Sequence, residues 1–318
     1  MSRVKSDRLK KGSIFIPLIF SFGAKLEELP LEAFVQDPTK VSNALRTIQS
    51  YFETDGVFTY GDEQLLPEAL ASLWGDAATV KEGRAFDPDR TGEVESQMGA
   101  ILQQGRLATA IEVTKRLNIL LPDTLLAGFF AGPATLAARL SGLPAGDALL
   151  HPKLISLAAK AALAYTRALG DTGIDILVIS EDSLPPVNEN ISRALTRIYS
   201  PIWNTAKYYG FTALLAIKEF SGQDVGTLRR IVDGLVIPAN AEPEVRQNFK
   251  KVSFSMPVSI FQMPPAEITA YLGQTGIAAA AQCSNLFLLT TDGEIPATVH
   301  KESMIRGIVT IRDHLRGV

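Results

Sequence analysis

Eight short runs of this chain are apolar almost without interruption, and they narrow its fold more than any other feature. They span residues 14–20, 57–60, 125–130, 174–180, 211–217, 234–237, 252–254 and 285–290. Continuous hydrophobicity, rather than alternation with polar residues, suits strands covered on both faces. Most of the runs are separated by segments of helical period. Between 151 and 170, for example, Leu154, Leu157, Ala158, Ala161, Ala162 and Tyr165 recur at three- and four-residue steps. Strand and helix alternating eight times is the pattern of a (β/α)8 TIM barrel. A doubly wound open sheet shares the alternation; the count of eight favours the barrel.

At 318 residues the chain suits one such barrel, typically about 250 residues plus insertions, so a single domain over 1–318 is expected. Hydrophobic residues make up 46% of it, ample for the core. The connection from the second to the third run, roughly 61–124, exceeds a simple crossover. Its polar stretch KEGRAFDPDRTGEVES, residues 81–96, reads as an insertion or lid over the barrel mouth. A net charge of −3 argues against a general electrostatic footprint for nucleic acid. No uncharged apolar run approaches the roughly 20 residues of a membrane span, and the basic N-terminus leads into no signal-type core. One cysteine, Cys283, rules out an internal disulfide and a cysteine-rich metal cluster. The expectation is a cytoplasmic protein without nucleic-acid or membrane partners.

Barrel chemistry sits at the carboxyl ends of the strands. There the chain supplies Asp62, Arg139, Ser180, Glu181, Asp182, Lys218, Glu219, Asp292 and Glu294. Asp62 stands out, just past the run 57–60 in DGVFTYGDEQLLPEALA and ahead of a helix start near Pro67. Capping of the following turn is its plainer role. Lys218, flanked by acids, is either an ion-paired group or, if dehydrated, an amine with a lowered pKa. His151 precedes Pro152 at a helix start, His314 lies among basic residues of the final helix, and His300 trails the loop 292–296. None of the three has a catalytic setting. Dinucleotide, phosphate-loop and nucleophile-elbow motifs are absent from the sequence. The run Trp203–Tyr209 reads as helix packing.

Several blocks resemble the uroporphyrinogen decarboxylase superfamily, which comprises tetrapyrrole decarboxylases and corrinoid-linked methyltransferases on a TIM barrel. The Asp55-to-Asp62 block ahead of Pro67-Glu68-Ala69-Leu70 is similar to the decarboxylase strand-to-loop block. Gly132-Pro133-Ala134-Thr135-Leu136, then Arg139-Leu140-Ser141-Gly142, is similar to the family's Gly-x-Pro-x-Thr-Leu block. The stretch 174–180 with Glu181-Asp182 resembles the strand that supplies a pocket serine. The tail Thr290 to Pro296 resembles the last loop of the methyltransferase branch, Gly-Cys-x-Val-Pro. The likeness runs from about 14 to 315. It implies that Asp62 faces ring N–H groups, that Ser180 lines the pocket, and that the chain forms a homodimer.

The departures are as informative. Residues 17–25 hold no arginine where the decarboxylases carry substrate-clamping arginines, so a substrate with many carboxylates is disfavoured. Arg139 takes the place of a pocket tyrosine, and Asp292-Gly293-Glu294 that of a Gly-His-Gly. The zinc-binding His-x-Cys and second cysteine are matched by Ala216-Ile217-Lys218 and Gly293. No metal site is therefore expected, although Glu181, Glu219, Asp292 and Glu294 leave an oxygen-ligand site conceivable. Cys283 precedes its strand and is expected to be a buried structural thiol away from the mouth.

The resemblance favours a methyltransferase-like enzyme of one-carbon metabolism acting on a small molecule without the thiolate zinc. It implies no tightly bound cofactor. A corrinoid on a partner protein or tetrahydrofolate would serve as co-substrate. Asp62, Lys218 and Glu294 are the expected catalytic residues, so Asp62→Ala should abolish turnover and spare folding. Arg139, Ser180, Glu181, Glu219 and Asp292 are the expected substrate-binding residues. A decarboxylase acting on a different substrate and a non-catalytic, ligand- or partner-binding barrel are the alternatives.

Overall fold

The computed structural model describes residues 5, 9, 12–73, 91–220, 225–241, 251–283 and 286–317. All eight apolar runs form strands: β1 Gly12–Phe15, β2 Gly56–Phe58, β3 Leu125–Ala131, β4 Ile176–Ser183, β5 Thr212–Glu219, β6 Gly234–Pro238, β7 Lys251–Met256 and β8 Leu286–Thr291. They pair in parallel as one sheet in the order β1-β8-β7-β6-β5-β4-β3-β2, with helices between them. The result is a nearly closed (β/α)8 barrel. At the β1–β2 seam the Phe15 N–H donates to Asp55 Oδ2 (2.9 Å) and the Asp55 N–H donates to the Phe15 carbonyl (3.2 Å). A side-chain carboxylate thus stands in for a ladder partner.

β1 stops five residues before the end of its apolar run because Pro17 has no N–H for the ladder. The chain beyond it still lies along β8. The Ile16 N–H donates to the Leu289 carbonyl (3.0 Å) and the Leu18 N–H to Thr291 Oγ1 (3.0 Å).

Side chains alternate across the barrel wall. Ile14, Phe58, Phe129, Val178, Leu214 and Leu288 fill the interior, while Phe15, Val57, Phe130, Ile179, Leu215 and Phe287 pack beneath the helices. This parity directs the functional groups. On β4 the inward series Ile176, Val178 continues through Ser180 to Asp182, and Glu181 belongs to the outward series. On β5 the inward series is Leu214, Ala216, Lys218.

The floor opposite the mouth is stapled by a buried ion pair, Lys5 Nζ to Asp175 Oδ2 at 2.9 Å, with both side chains under 5% exposed. Asp175 Oδ2 also accepts the Leu126 N–H (2.9 Å). Of the polar stretch 81–96, residues 81–90 lie outside the described residues. Thr91–Ser96 is helical and packs on the helix Pro152–Thr172 at the barrel flank, where Lys160 meets Glu95 at 2.7 Å. The side chain of Cys283 lies outside the described residues. Among those described, no helix is long and apolar enough to cross a membrane.

Candidate functional site

Four charged groups from four elements meet at the carboxyl-terminal mouth. Lys218 Nζ, at the end of β5, lies 2.7 Å from Glu63 Oε1 and 2.9 Å from Asp182 Oδ1. Arg139, from the helix Pro133–Ser141, donates through Nη2 to Glu63 Oε2 (2.8 Å) and Asp182 Oδ2 (2.9 Å). Each carboxylate therefore bridges both cations, and Ser180 Oγ donates to Glu63 Oε1 (3.1 Å). Desolvation pulls the Lys218 ammonium down, but its hydrogen bonds to Glu63 and Asp182 outweigh this and hold it above its ordinary value. Of the two readings from sequence, the geometry matches the ion-paired one. Burial pushes Asp182 up, but hydrogen bonds from Lys218 and Arg139 prevail and hold it below the usual carboxylate range.

Glu63 was not singled out from the sequence; its neighbour Asp62 was. Asp62 Oδ1 accepts the Gln64 N–H (2.7 Å), the turn-capping role, and Oδ2 is bound by Arg106. Arg106 also donates to Glu68 Oε2 (2.8 Å) and to the Tyr60 hydroxyl (3.2 Å). Burial pushes that phenol up to about 12. Asp62 is thus engaged on the rim and does not line the central cavity. A loop lacks the two-residue period that sorts side chains in a strand, so nothing local distinguishes Asp62 from Glu63. Arg106 is too remote in sequence to betray the pairing.

Three further expected site residues lie away from the central cavity. Glu181 is fully buried on the outer side of the wall, as its parity requires. It accepts the Ala134 N–H (3.0 Å, Oε1) and the Thr135 N–H (2.6 Å, Oε2), and the Tyr199 hydroxyl donates to Oε1. It caps the helix Pro133–Ser141 from the outer side of the wall. Burial pushes its carboxyl up, against these donors. Glu219, outward by the same alternation, is exposed at the tip of β5. Glu294 accepts the Ser21 N–H ahead of the helix Phe22–Leu26, and burial raises its carboxyl, with the Asp62 charge adding to the rise. Glu294 therefore shares the rim with Asp62 but points its oxygen at the backbone.

The histidines stand apart from the mouth network. His300 is exposed at the start of the final helix. His151 precedes Pro152 without a side-chain capping bond, and His314 is partly buried rather than on a solvated face, its Nε2 bonded to none of the described residues. The aromatic run near Trp203 packs as expected, Trp203 stacking on Tyr199 at 5.8 Å between centroids.

Beside the charged network lies a cavity over the apolar barrel interior. Phe58, Phe129 and Val178 form its floor, and Ser180, Lys218, Ser255, Thr290 and Asp292 its polar wall. It offers about 20 Å³ to a water-sized occupant, room for one or two small atoms. Asp292 Oδ1 accepts the Val258 N–H (3.1 Å), and burial raises its carboxyl above the ordinary range. The donor set does not suit zinc or another divalent ion. Glu181, Glu219 and Glu294 point elsewhere, and both bridging carboxylates are already held by two cations. Among the described residues no group of three or more His, Cys, Asp or Glu side chains is placed to hold a metal.

No family model matches the chain, and no curated protein matches its sequence. Solved structures do match. A methyltransferase from Methanosarcina mazei superposes with a TM-score of 0.68 at 15% identity, covering 98% of this chain and 96% of that one. A putative vitamin-B12 independent methionine synthase from Listeria monocytogenes gives 0.44 at 15% identity, over 64% of this chain and 67% of that one. The homocysteine methyltransferase of Escherichia coli gives 0.43 at 12% identity, over 97% and 98%. These likenesses are of fold alone, and the first extends over the barrel from end to end.

Proposed function

We propose that the protein is a methyltransferase-like enzyme of one-carbon metabolism that presents a small methyl acceptor at the barrel mouth. The observation that carries this reading is the cavity of Lys218, Asp292, Ser180, Ser255 and Thr290 over an apolar floor. It lies at the strand ends of a barrel that matches a methyltransferase over nearly its whole length. A carrier enters as co-substrate, either a corrinoid on a partner protein or a folate. Zinc plays no part, because Ala216 and Lys218 stand where the resemblance places its ligands.

Methyl transfer asks little covalent chemistry of a protein: alignment, exclusion of water and management of one proton. The apolar floor excludes water, and the hydroxyls orient the acceptor. As the acceptor heteroatom bonds to the methyl carbon, the carrier leaves with the old bonding pair and the acceptor proton passes to Asp292. Partial desolvation raises the Asp292 carboxyl above its ordinary value, which makes it a better base than a fully solvated carboxylate. Lys218 and Arg139 hold the mouth in shape through Glu63 and Asp182, and Asp62 and Glu294 shape the rim.

The test is transfer of a deuterated methyl group from methylcobalamin or methyltetrahydrofolate to a panel of thiol, hydroxyl and amine acceptors, followed by mass spectrometry. Asp292→Asn is expected to lower turnover by roughly 100-fold, as loss of a general base does. Lys218→Met should lower it as well. Asp62→Ala should have a much smaller effect, in contrast to the expectation from sequence. No transfer to any acceptor, or binding of porphyrinogens in place of methyl carriers, would discard the reading.

A further inference from the structure

Within the mouth cavity most polar groups already have partners, and those that do not point to one ligand chemistry. Lys218 gives its N–H bonds to Glu63 and Asp182, and Arg139 is held by the same pair. Ser180 donates to Glu63. Ser255 and Thr290 are different. They are 8% and 4% exposed, they line the cavity, and their hydroxyls bond to none of the described residues. Asp292 lines the same cavity, forms no ion pair with a described residue, and spends one oxygen on the Val258 N–H. Lys218 and Asp292 are the charged residues lining the cavity; Lys218 is paired with Glu63 and Asp182 and reaches Asp292 only by its charge, so Asp292 keeps an oxygen for a guest.

Ser255 and Thr290 are both nine-tenths buried, and their hydroxyls open onto the cavity, free to bond whatever occupies it. Asp292 is open to solvent yet reaches into the cavity, and a carboxylate that makes no ion pair with a described residue favours a cation over a neutral or anionic guest. The size of the cavity limits the inserted part to one or two heavy atoms. We propose that this cavity takes the protonated nitrogen of a small amine, with Asp292 as its counter-ion and the Ser255 and Thr290 hydroxyls accepting further N–H bonds. The proposal rests on the methyl-transfer reading and deepens it by naming the acceptor class as an amine, whose ammonium must give one proton to Asp292 so that the freed lone pair can bond the methyl carbon.

Calorimetric titration of the full chain with methylammonium tests it, with sodium, methanol and acetate as comparison probes at equal ionic strength. Saturable binding of methylammonium alone is expected. Asp292→Asn keeps an oxygen for the Val258 N–H, so it should fold, as its melting temperature will show, yet bind about tenfold or more weakly. The near-isosteric pair Ser255→Ala and Thr290→Val should weaken binding severalfold. Equal response to sodium or methanol, preference for acetate, no saturable methylammonium binding, or unchanged affinity in Asp292→Asn would overturn the proposal. Binding is read without turnover. A chain that binds methylammonium yet moves no methyl group removes the methyltransferase reading alone. One that methylates only thiols and ignores methylammonium removes the amine alone.

Discussion

Asp182 illustrates what a single residue contributes at the mouth. Its carboxylate meets both Lys218 and Arg139 but is 47% exposed, so solvent screens the attraction and Asp182→Asn should cost only about 1 kcal/mol at neutral pH. Its folded pKa is lowered, so the contribution is present above the unfolded value near 4 and is lost as pH falls through the lower folded value. The Lys218 pKa is raised, so its contribution is complete below about 10.4 and is lost as pH rises through the higher folded value. Urea unfolding of wild type and Asp182→Asn should therefore give a constant difference from about pH 5 to 9, shrinking in acid. A difference that stayed unchanged well below pH 4 would remove charge as its cause. Asp182 and Lys218 were legible as strand-end residues, because strand parity sends them inward. Glu63 was not, because only its distant partners draw it, and not Asp62, into the mouth.

The helix Pro133–Ser141 shows how a sequence block encodes a junction between elements. Gly132 is required by its neighbour: a Cβ there would stand 2.1 Å from Glu181 Oε1. The missing side chain lets the Glu181 carboxylate reach the first N–H groups of the helix, which Pro133 starts with φ already set. Gly132→Ala should displace that carboxylate, leave buried donors unpaired and cost about 2–4 kcal/mol. Because the two residues act as one unit, Glu181→Gln combined with Gly132→Ala should cost clearly less than the sum of the single changes in denaturant melts. Additive losses would separate the glycine from the cap. The block was visible as a motif. Its purpose was hidden, because the capping residue is 47 positions away.

Across the whole molecule, the barrel is held at its floor by a buried ion pair, and its mouth carries a screened network. Lys5 and Asp175 are both buried, so removing one partner takes a close counter-charge from the other. Asp175→Asn should cost about 3–5 kcal/mol, whereas joining it to Lys5→Met should recover much of the loss. Thermal unfolding of the three variants checks this, and a double variant no better than Asp175→Asn would refute the pairing. Methylammonium affinity should remain unchanged in the folded double variant, since the floor and mouth are separated by the packed barrel interior.

Hydrophobic patterning was enough to specify eight parallel strands, helices between them and polar groups at their carboxyl ends, because burial on two faces and the two-residue period are local properties of a strand. The partner of each charged side chain was beyond its reach. Lys218 meets Glu63 across 155 positions, Asp62 meets Arg106 across 44, and Ser255 and Thr290 come together only where β7 lies beside β8. Pairing among loop carboxylates depends on distance in space, and closing the barrel is what sets those distances.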